Sequence, residues 1–250
     1  MSAPEKASGQ TEPQAPAGQA PQGQTPAEQA PPEQPNSLRM VATLAIVAAV
    51  SGLLIVGVYQ ATLPRIKANR AEALRNAVFQ VLPGARSTRT FYADPQGNLK
   101  PMETEMEKAV KYYAGYDEGG RLIGVAIEAQ GQGYQDVIRI LYGYDPQGEK
   151  VVGMRVLESK ETPGLGDKIA KDPIFLKNFA ALDVALKPGG GELVNPVEVV
   201  KSGTKTREWQ IDGITGATIS SKAIGRILNE SAVSRMGGAK AQINTMKEAQ

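Results

Sequence analysis

The sequence VATLAIVAAVSGLLIVGVY, residues 41–59, sets the architecture of this chain. It lies within a segment from Met40 to Pro64 that contains no charged residue. As an α-helix, this stretch would span about 28 Å, which matches the hydrocarbon core of a bilayer. A cleaved signal peptide would have a shorter apolar region near the N-terminus, and a buried helix of a soluble domain would rarely stay uncharged for this length. The stretch therefore predicts a transmembrane helix, which we assign to residues 39–62.

The segment before this helix, residues 1–38, has a different composition. Its first 36 residues hold 8 of the 17 prolines and contain no aromatic or branched aliphatic residue. Such a segment cannot bury enough apolar surface to offset the entropy lost on ordering. We expect a disordered arm rich in proline and glutamine, either a solvated tail or a binding segment.

The basic residues that flank the apolar stretch leave its orientation open. Arg39 precedes it, whereas Arg65, Lys67 and Arg70 follow it. The positive-inside rule alone would place the C-terminal part of the chain in the cytoplasm, but large domains translocate largely regardless of flanking charge.

The overall composition excludes several classes of function. The 250 residues include 28 Lys and Arg against 26 Asp and Glu, and the two signs are interleaved, so no basic stripe for nucleic acid is present. The chain has no cysteine and no histidine. This absence excludes disulfides, thiolate nucleophiles, iron–sulfur clusters and the usual zinc and haem ligands. A redox cofactor would therefore be organic, and we predict neither a metal site nor a catalytic residue.

The remainder of the chain predicts an α+β fold. An amphipathic helix is expected from Ile66 to Leu82, inside a connecting segment of residues 63–86, because Pro83-Gly84 ends the helical spacing. Hairpins with turns of the Asp-Pro-Gln-Gly type then indicate an antiparallel sheet. The predicted elements are strands at 88–92, 112–116, 122–128, 137–142 and 151–157, a helix at 167–184, a strand pair around 194–200 and 208–211, and a helix at 222–233. We assign residues 87–236 to one domain and residues 237–250 to a polar tail.

One loop combines glycines with hydroxyl groups directly before the last predicted helix. The segment DGITGATISS, residues 212–221, contains Gly213 and Gly216, which allow the backbone to approach a ligand closely. The N–H groups at a helix N-terminus favour an anion, and the hydroxyls can donate to phosphate oxygens. The pattern is compatible with a phosphate-binding turn, whereas the spacing alone favours an ordinary N-cap made by Ser220 or Ser221.

A second loop joins a predicted strand to a predicted helix with the sequence ETPGLGDK, residues 161–168. Its proline and two glycines suit a tight connection, which is a sufficient structural explanation. Leu165, between the two glycines, would stand exposed at the tip, where an apolar side chain could cover a flat ring.

Taken together with Gly133-Tyr134 and Tyr144-Asp145, these loops resemble the FMN-binding domain shared by two membrane proteins. They are the G subunit of the Rnf electron transport complex and the C subunit of the sodium-translocating NADH:quinone reductase. The resemblance covers about residues 40–235, and residues 160–168 are more similar to the Rnf protein. It implies an FMN-binding domain over residues 87–236, on the periplasmic or extracytoplasmic side of the cytoplasmic membrane.

The resemblance also implies a chemistry. FMN would be attached covalently, through a phosphoester, to the hydroxyl of Thr218, by a separate magnesium-dependent flavin transferase that uses FAD. The other residues implied at the cofactor are Asp212, Thr215, Gly216, Ala217 and Ser221 in one loop and Glu161, Thr162, Gly164, Leu165, Gly166 and Lys168 in the other. For Thr215 a local cap, for Lys168 a solvated lysine and for Asp212 a turn residue are the alternatives.

The function implied is electron transfer within a membrane-bound complex. Such a complex couples electron transfer between ferredoxin and NAD to the translocation of sodium ions or protons. The expected partners are the other subunits of the complex, the flavin transferase and membrane lipid, and no nucleic acid. A quinone-reductase component, a membrane-anchored scaffold without redox chemistry and a stand-alone membrane flavin reductase are the alternative functions.

Overall fold

The computed structural model describes residues 37–102 and 109–248, so the predicted arm up to residue 36 lies outside the described residues. The chain divides between Val58 and Tyr59 into two compact units. The elements are α1 (Ser37–Val81), β1 (Ser87–Ala93), β2 (Leu99–Pro101), β3 (Lys111–Tyr116), β4 (Leu122–Gln132), β5 (Val137–Asp145), β6 (Lys150–Glu158), α2 (Pro173–Lys177), β7 (Leu182–Asp183), β8 (Glu198–Val200), β9 (Gln210–Asp212), α3 (Thr218–Ser231), α4 (Gly237–Ala241) and α5 (Ile243–Glu248).

Helix α1 contains the apolar stretch and is long and apolar enough to cross a membrane. Its side chains over residues 41–59 are exposed, among them Leu44, Leu53 and Ile55. Such a continuous apolar surface suits lipid better than water. The sequence predicts two separate helices, at residues 39–62 and from Ile66 to Leu82. The structure instead has one helix that includes Pro64.

The centre of the second unit is a seven-stranded antiparallel sheet with the order β2-β1-β3-β4-β5-β6-β7. Strands β1, β3, β4, β5 and β6 cover all five predicted strand runs, which confirms the mixed α and β fold. Sequence alternation does not predict β2 and β7, because strands of three and two residues are too short to show a period.

Both faces of the sheet are covered, as the alternation of buried residues in β5 shows. Ile140 and Tyr142 belong to the larger core, under α3 and the C-terminal helices. Leu141 belongs to a smaller cluster with Val78 and Val81 from the end of α1. The C-terminal end of α1 thus packs on one face of the sheet, and α3 packs on the other.

The segment after β6 corrects one prediction. The predicted helix over residues 167–184 is wrong, because the structure breaks it into a 3₁₀ turn at Gly166–Ala170, helix α2, a second 3₁₀ turn at Asn178–Ala180 and strand β7. Asp172 accepts hydrogen bonds from the N–H groups of Ile174 and Phe175, at 2.8 and 3.2 Å, and so starts a new helix at Pro173.

The C-terminal part differs from the sequence expectation at two places. Helix α3 begins at Thr218, four residues before the predicted start at Lys222. After a π-helical turn at Ala232–Met236, residues 237–248 continue mainly as helices α4 and α5, with Ala239 and Met246 buried in the core. The sequence predicts a polar tail here because apolar side chains are too sparse in this segment to show a helical period. The boundaries that the sequence analysis draws after residues 38, 62 and 86, between the arm, the transmembrane helix, the connecting segment and the domain, stay predictions.

Candidate functional site

Thr218 is the first residue of α3, and its side chain is exposed. The residue before it, Ala217, occupies the N-cap position and has no side-chain oxygen that could accept a hydrogen bond from the first turn. The first N–H groups of a helix have no partner within the helix and create a positive potential there. A hydroxyl group therefore stands at a helix end that favours an anion.

The backbone reaches Thr218 through a tight turn. The N–H of Ala217 donates to the carbonyl of Ile214 at 3.0 Å, and Gly216 at the third position has a φ of +85°. This combination defines a type II turn, which needs glycine at that position. Thr215, at the second position, is exposed, so the structure does not show it capping α3.

Ser221 holds this turn against the helix. Its hydroxyl accepts a hydrogen bond from the N–H of Ile214 at 3.1 Å and donates to the carbonyl of Ala217 at 2.9 Å. The side chain is completely buried. Ser221 therefore stabilises the turn from inside the protein, and its hydroxyl already bonds to two backbone groups instead of facing a ligand.

The second loop contains a turn of the same kind. The N–H of Leu165 donates to the carbonyl of Thr162 at 3.1 Å, with Pro163 second and Gly164, at a φ of +79°, third. Asp167 fixes this turn by accepting a hydrogen bond from the N–H of Gly164 at 2.7 Å.

The two turns lie side by side. A Cβ atom placed on Gly216 would lie 3.8 Å from Cδ2 of Leu165, an ordinary van der Waals distance. Leu165 is 50% exposed, so an apolar side chain and the hydroxyl-bearing turn meet at the surface. The structure thus brings together the two loops that the sequence singled out separately.

Glu161 lies beneath these turns and is only 5% exposed. One of its carboxylate oxygens accepts a hydrogen bond from the hydroxyl of Ser220, and the other accepts hydrogen bonds from the N–H groups of Tyr134 and Gln135. The family resemblance implies Glu161 beside the cofactor, but the structure directs its carboxylate to donors of the protein itself.

Asp212 ends β9 and is also engaged with the protein. Its Oδ1 accepts hydrogen bonds from the N–H groups of Thr204 and Lys205, at 3.1 and 3.0 Å. Its own N–H donates to Asn178 at 3.0 Å. The carboxylate therefore orients the loop before β9, across seven and eight residues, and does not form a turn with its immediate successors.

Two lysines differ in their relation to Thr218. Lys168 lies in the 3₁₀ turn after Leu165 and is partly buried. Lys222 is exposed and lies four residues after Thr218 on α3, which places both side chains on the same helix face. Sequence reasoning missed Lys222, because its spacing from Thr218 has meaning only if the helix begins at Thr218. Lys222 also borders a cleft of about 360 Å³ between α3 and residues 197–199.

These features fit a phosphate ester that also carries a flat aromatic ring system, such as FMN. Thr218 offers an exposed hydroxyl, the start of α3 offers N–H groups for a phosphate, and Leu165 offers an apolar contact for a ring. Among residues 37–102 and 109–248, no group of three or more acidic side chains is placed to hold a metal ion.

Comparison with known proteins gives consistent matches. The FMN-binding domain family matches residues 133–233, and the family described as the RnfG N-terminal region matches residues 35–81. The G subunit of the ion-translocating oxidoreductase complex of Methanosarcina acetivorans is 30% identical over 189 residues, which cover 74% of this chain and 87% of that protein. The G subunit of the proton-translocating ferredoxin:NAD(+) oxidoreductase complex of Clostridium ljungdahlii is 26% identical and covers 79% of this chain and 90% of that protein.

A solved structure shares the fold. The crystal structure of Shewanella oneidensis NqrC has a TM-score of 0.57 at 18% identity and covers 72% of this chain and 99% of that chain.

Proposed function

The chain belongs to the family of G subunits of ion-translocating oxidoreductase complexes, and from this membership we propose that it carries covalently bound FMN on Thr218. The observation that supports the site is the exposed hydroxyl of Thr218 at the start of α3, directly after the turn through Gly216. This hydroxyl lies within the segment, residues 133–233, that matches the FMN-binding domain family.

The attachment is a phosphoryl transfer from FAD. Oγ1 of Thr218 forms a bond to the phosphorus of the FMN half, and the bond between that phosphorus and the bridging oxygen of the pyrophosphate breaks. AMP leaves, and the hydroxyl proton passes to solvent or to a base of the flavin transferase. The resulting phosphodiester keeps one negative charge, which the N-terminus of α3 stabilises by about 0.3–1 kcal/mol.

The residues around Thr218 then bind and orient the cofactor. FMN itself supplies the electron transfer, and the protein supplies binding and electrostatics. Leu165 offers an apolar surface to the ring, Gly216 allows the backbone to approach, and Lys222 places a positive charge one helical turn beyond the ester. Covalent attachment keeps the site filled whatever the concentration of free FMN.

Helix α1 anchors the flavin domain to the membrane. We place that domain on the extracytoplasmic side, where a noncovalent flavin would be lost by diffusion. The subunits of the complex and the membrane lipid around α1 are its partners, together with the flavin transferase during maturation.

The electron transfer is that of the whole complex, not of this chain alone. One relative is named as part of a proton-translocating ferredoxin:NAD(+) oxidoreductase, which supports the same reaction here, coupled to protons or sodium ions. The match of residues 35–81 to the RnfG N-terminal region favours this complex over the quinone reductase.

The intact mass of the full chain, purified from a host that co-expresses the flavin transferase, tests this proposal. We expect an added mass of FMN less one water, retained in Thr215→Ala and lost in Thr218→Ala. Thr215 is a matched control because it is the other exposed threonine of the same loop. A colourless wild-type protein without added mass, made beside a transferase shown to be active, would instead support the scaffold function.

A further inference from the structure

We propose that Glu161 and Ser220 are positioning residues that hold Thr218 in place for flavin attachment, an inference that rests on the proposed function. Ser220 lies two residues after Thr218 in the first turn of α3. Its hydroxyl donates to Oε2 of Glu161, and both side chains are buried, at 2% and 5% exposure. The first turn of α3 is therefore tied to the loop that carries Leu165.

The same carboxylate reaches a third segment. Oε1 of Glu161 accepts hydrogen bonds from the N–H groups of Tyr134 and Gln135, at 2.9 and 3.1 Å, in the turn between β4 and β5. The backbone pairing of β5 with β6 holds this turn and Glu161 near each other, since both lie just beyond the end of that pair. Helix α3 has no backbone pairing of this kind with the sheet. The position of α3 relative to the turn and to the loop of Glu161 therefore depends on side-chain contacts. Glu161 supplies such contacts, because its carboxylate joins its own loop to the turn and to α3.

Two glycines enclose the carboxylate closely. A Cβ atom on Gly133 would lie 2.5 Å from Oε1 of Glu161, and one on Gly166 would lie 2.6 Å from Oε2 and 2.8 Å from Oγ of Ser220. Neither glycine has a positive φ, so the small residue is needed for space and not for backbone freedom. Glu161 is enclosed, and it acts on Thr218 through Ser220 and not by touching the cofactor.

The donors to Glu161 are neutral groups. Among the described residues, no lysine or arginine lies within ion-pair distance of this carboxylate. A buried carboxylate without a cation is stabilised by its hydrogen bonds, and removing it would leave two backbone N–H groups without an acceptor. Glutamine can replace most of these contacts, since its carbonyl oxygen can accept from the two N–H groups while its amide donates to Ser220.

The test measures the rate at which the full chain gains FMN from FAD and purified flavin transferase, at a temperature where every variant is folded. We expect Glu161→Ala and Ser220→Ala to slow attachment about ten- to a hundredfold, the size of effect that misplacement of a reacting group causes. Glu161→Gln is expected to stay within about threefold of wild type, because it keeps the geometry and removes only the charge.

Ser231→Ala is the matched control. Ser231 is a buried serine of the same helix, and its hydroxyl lies 2.6 Å from that of Tyr142, about three and a half turns from Thr218. We expect this variant to lose stability and to gain FMN at the wild-type rate. Equal loss in Glu161→Gln and Glu161→Ala would overturn the proposal in favour of a chemical role for the charge.

Amide hydrogen exchange of the flavin-free chain gives a readout that needs no cofactor. Exchange at Tyr134 and Gln135 is expected to accelerate in Glu161→Ala but not in Ser231→Ala. Wild-type rates of attachment in both Glu161→Ala and Ser220→Ala would overturn only the positioning role. Failure of the wild-type chain to gain FMN would overturn the proposed function and this inference together.

Discussion

Leu165 and Gly216, which belong to loops far apart in the sequence, lie beside each other with one methyl-sized space between them: a Cβ atom on Gly216 would lie 3.8 Å from Cδ2 of Leu165, at ordinary van der Waals distance. There is room for a methyl group at this distance. The need for glycine at position 216 therefore arises from its φ of +85° and not from crowding.

This distinction predicts the behaviour of Gly216→Ala. Alanine disfavours a positive φ, so we expect a loss of about 1–2 kcal/mol in the free energy of unfolding and slower FMN attachment at the distorted turn. Gly97→Ala is the control, since Gly97 also has a φ of +85° and nothing near its Cβ position. Urea denaturation and intact mass check both variants. Equal rates of attachment in the two would show that the turn through Gly216 does not matter for the modification.

Lys222 is expected to assist attachment electrostatically. An exposed pair one helical turn apart is worth about 0.3–0.5 kcal/mol, so Lys222→Ala should slow the gain of FMN about twofold. The difference should disappear at about 1 M salt, where charges are screened within about 3 Å. Lys247→Ala, at an exposed lysine of α5, should have no effect at either salt concentration. A difference that persists at high salt would point to a role other than charge.

Two substitutions of Asp212 are expected to differ in their effect on the free energy of unfolding. Its Oδ1 accepts both hydrogen bonds from residues 204 and 205, and an asparagine oxygen can accept the same two. We expect Asp212→Asn to unfold like wild type and Asp212→Ala to lose about 1–3 kcal/mol, because two N–H groups lose their acceptor. Denaturation curves measure both. If Asp212→Asn keeps its stability but no longer gains FMN, the charge serves the encounter with the transferase.

The C-terminal end of α1 packs directly against glycines of the sheet. A Cβ atom on Gly143 would overlap the carbonyl oxygen of Val81, and one on Gly153 would lie 2.7 Å from the same oxygen. Gly143→Ala is therefore expected to cost at least about 2 kcal/mol through overpacking. Gly119→Ala, whose Cβ would lie 3.4 Å from a carboxylate oxygen of Asp117, should stay within about 1 kcal/mol of wild type. Similar stability of both variants would contradict this tight packing.

The carboxylate of Asp167 should contribute to the pH dependence of the free energy of unfolding. The hydrogen bond from the Lys171 ammonium, at 2.7 Å, lowers the pKa of Asp167 below the usual range of an aspartate, and the N–H of Gly164 adds to the effect. Because the folded pKa is below the unfolded value of about 3.9, the contribution to stability is complete above that value. It is lost as the pH falls through the folded pKa.

We therefore expect the difference in unfolding free energy between wild type and Asp167→Asn to shrink as the pH falls below about 4. Urea denaturation at fixed pH values measures this difference. In a Lys171→Gln background the difference at neutral pH should be smaller, since the main cause of the lowered pKa is gone. A difference that is constant with pH would contradict the assignment.

The membrane helix, the antiparallel sheet and the two loops of the site follow from the amino-acid sequence alone. An apolar run without charge specifies a membrane span, alternation of side chains specifies strands, and glycine beside proline or threonine specifies turns with a positive φ. These signals are local, since each depends on residues within a few positions of one another. The choice of Thr218 within its loop comes from the resemblance to the FMN-binding domain, and the local signals do not show where its helix begins.

Which distant groups meet depends instead on tertiary packing. Ser220 donates to Glu161, and Leu165 lies beside Gly216, because the sheet and the packing of α3 bring these loops to one place. The same packing buries Met246 in a segment that is polar by composition. Spacing in the sequence fixes neighbours along a helix or strand, but contacts between loops follow from how the elements pack, and that information is distributed over the whole core.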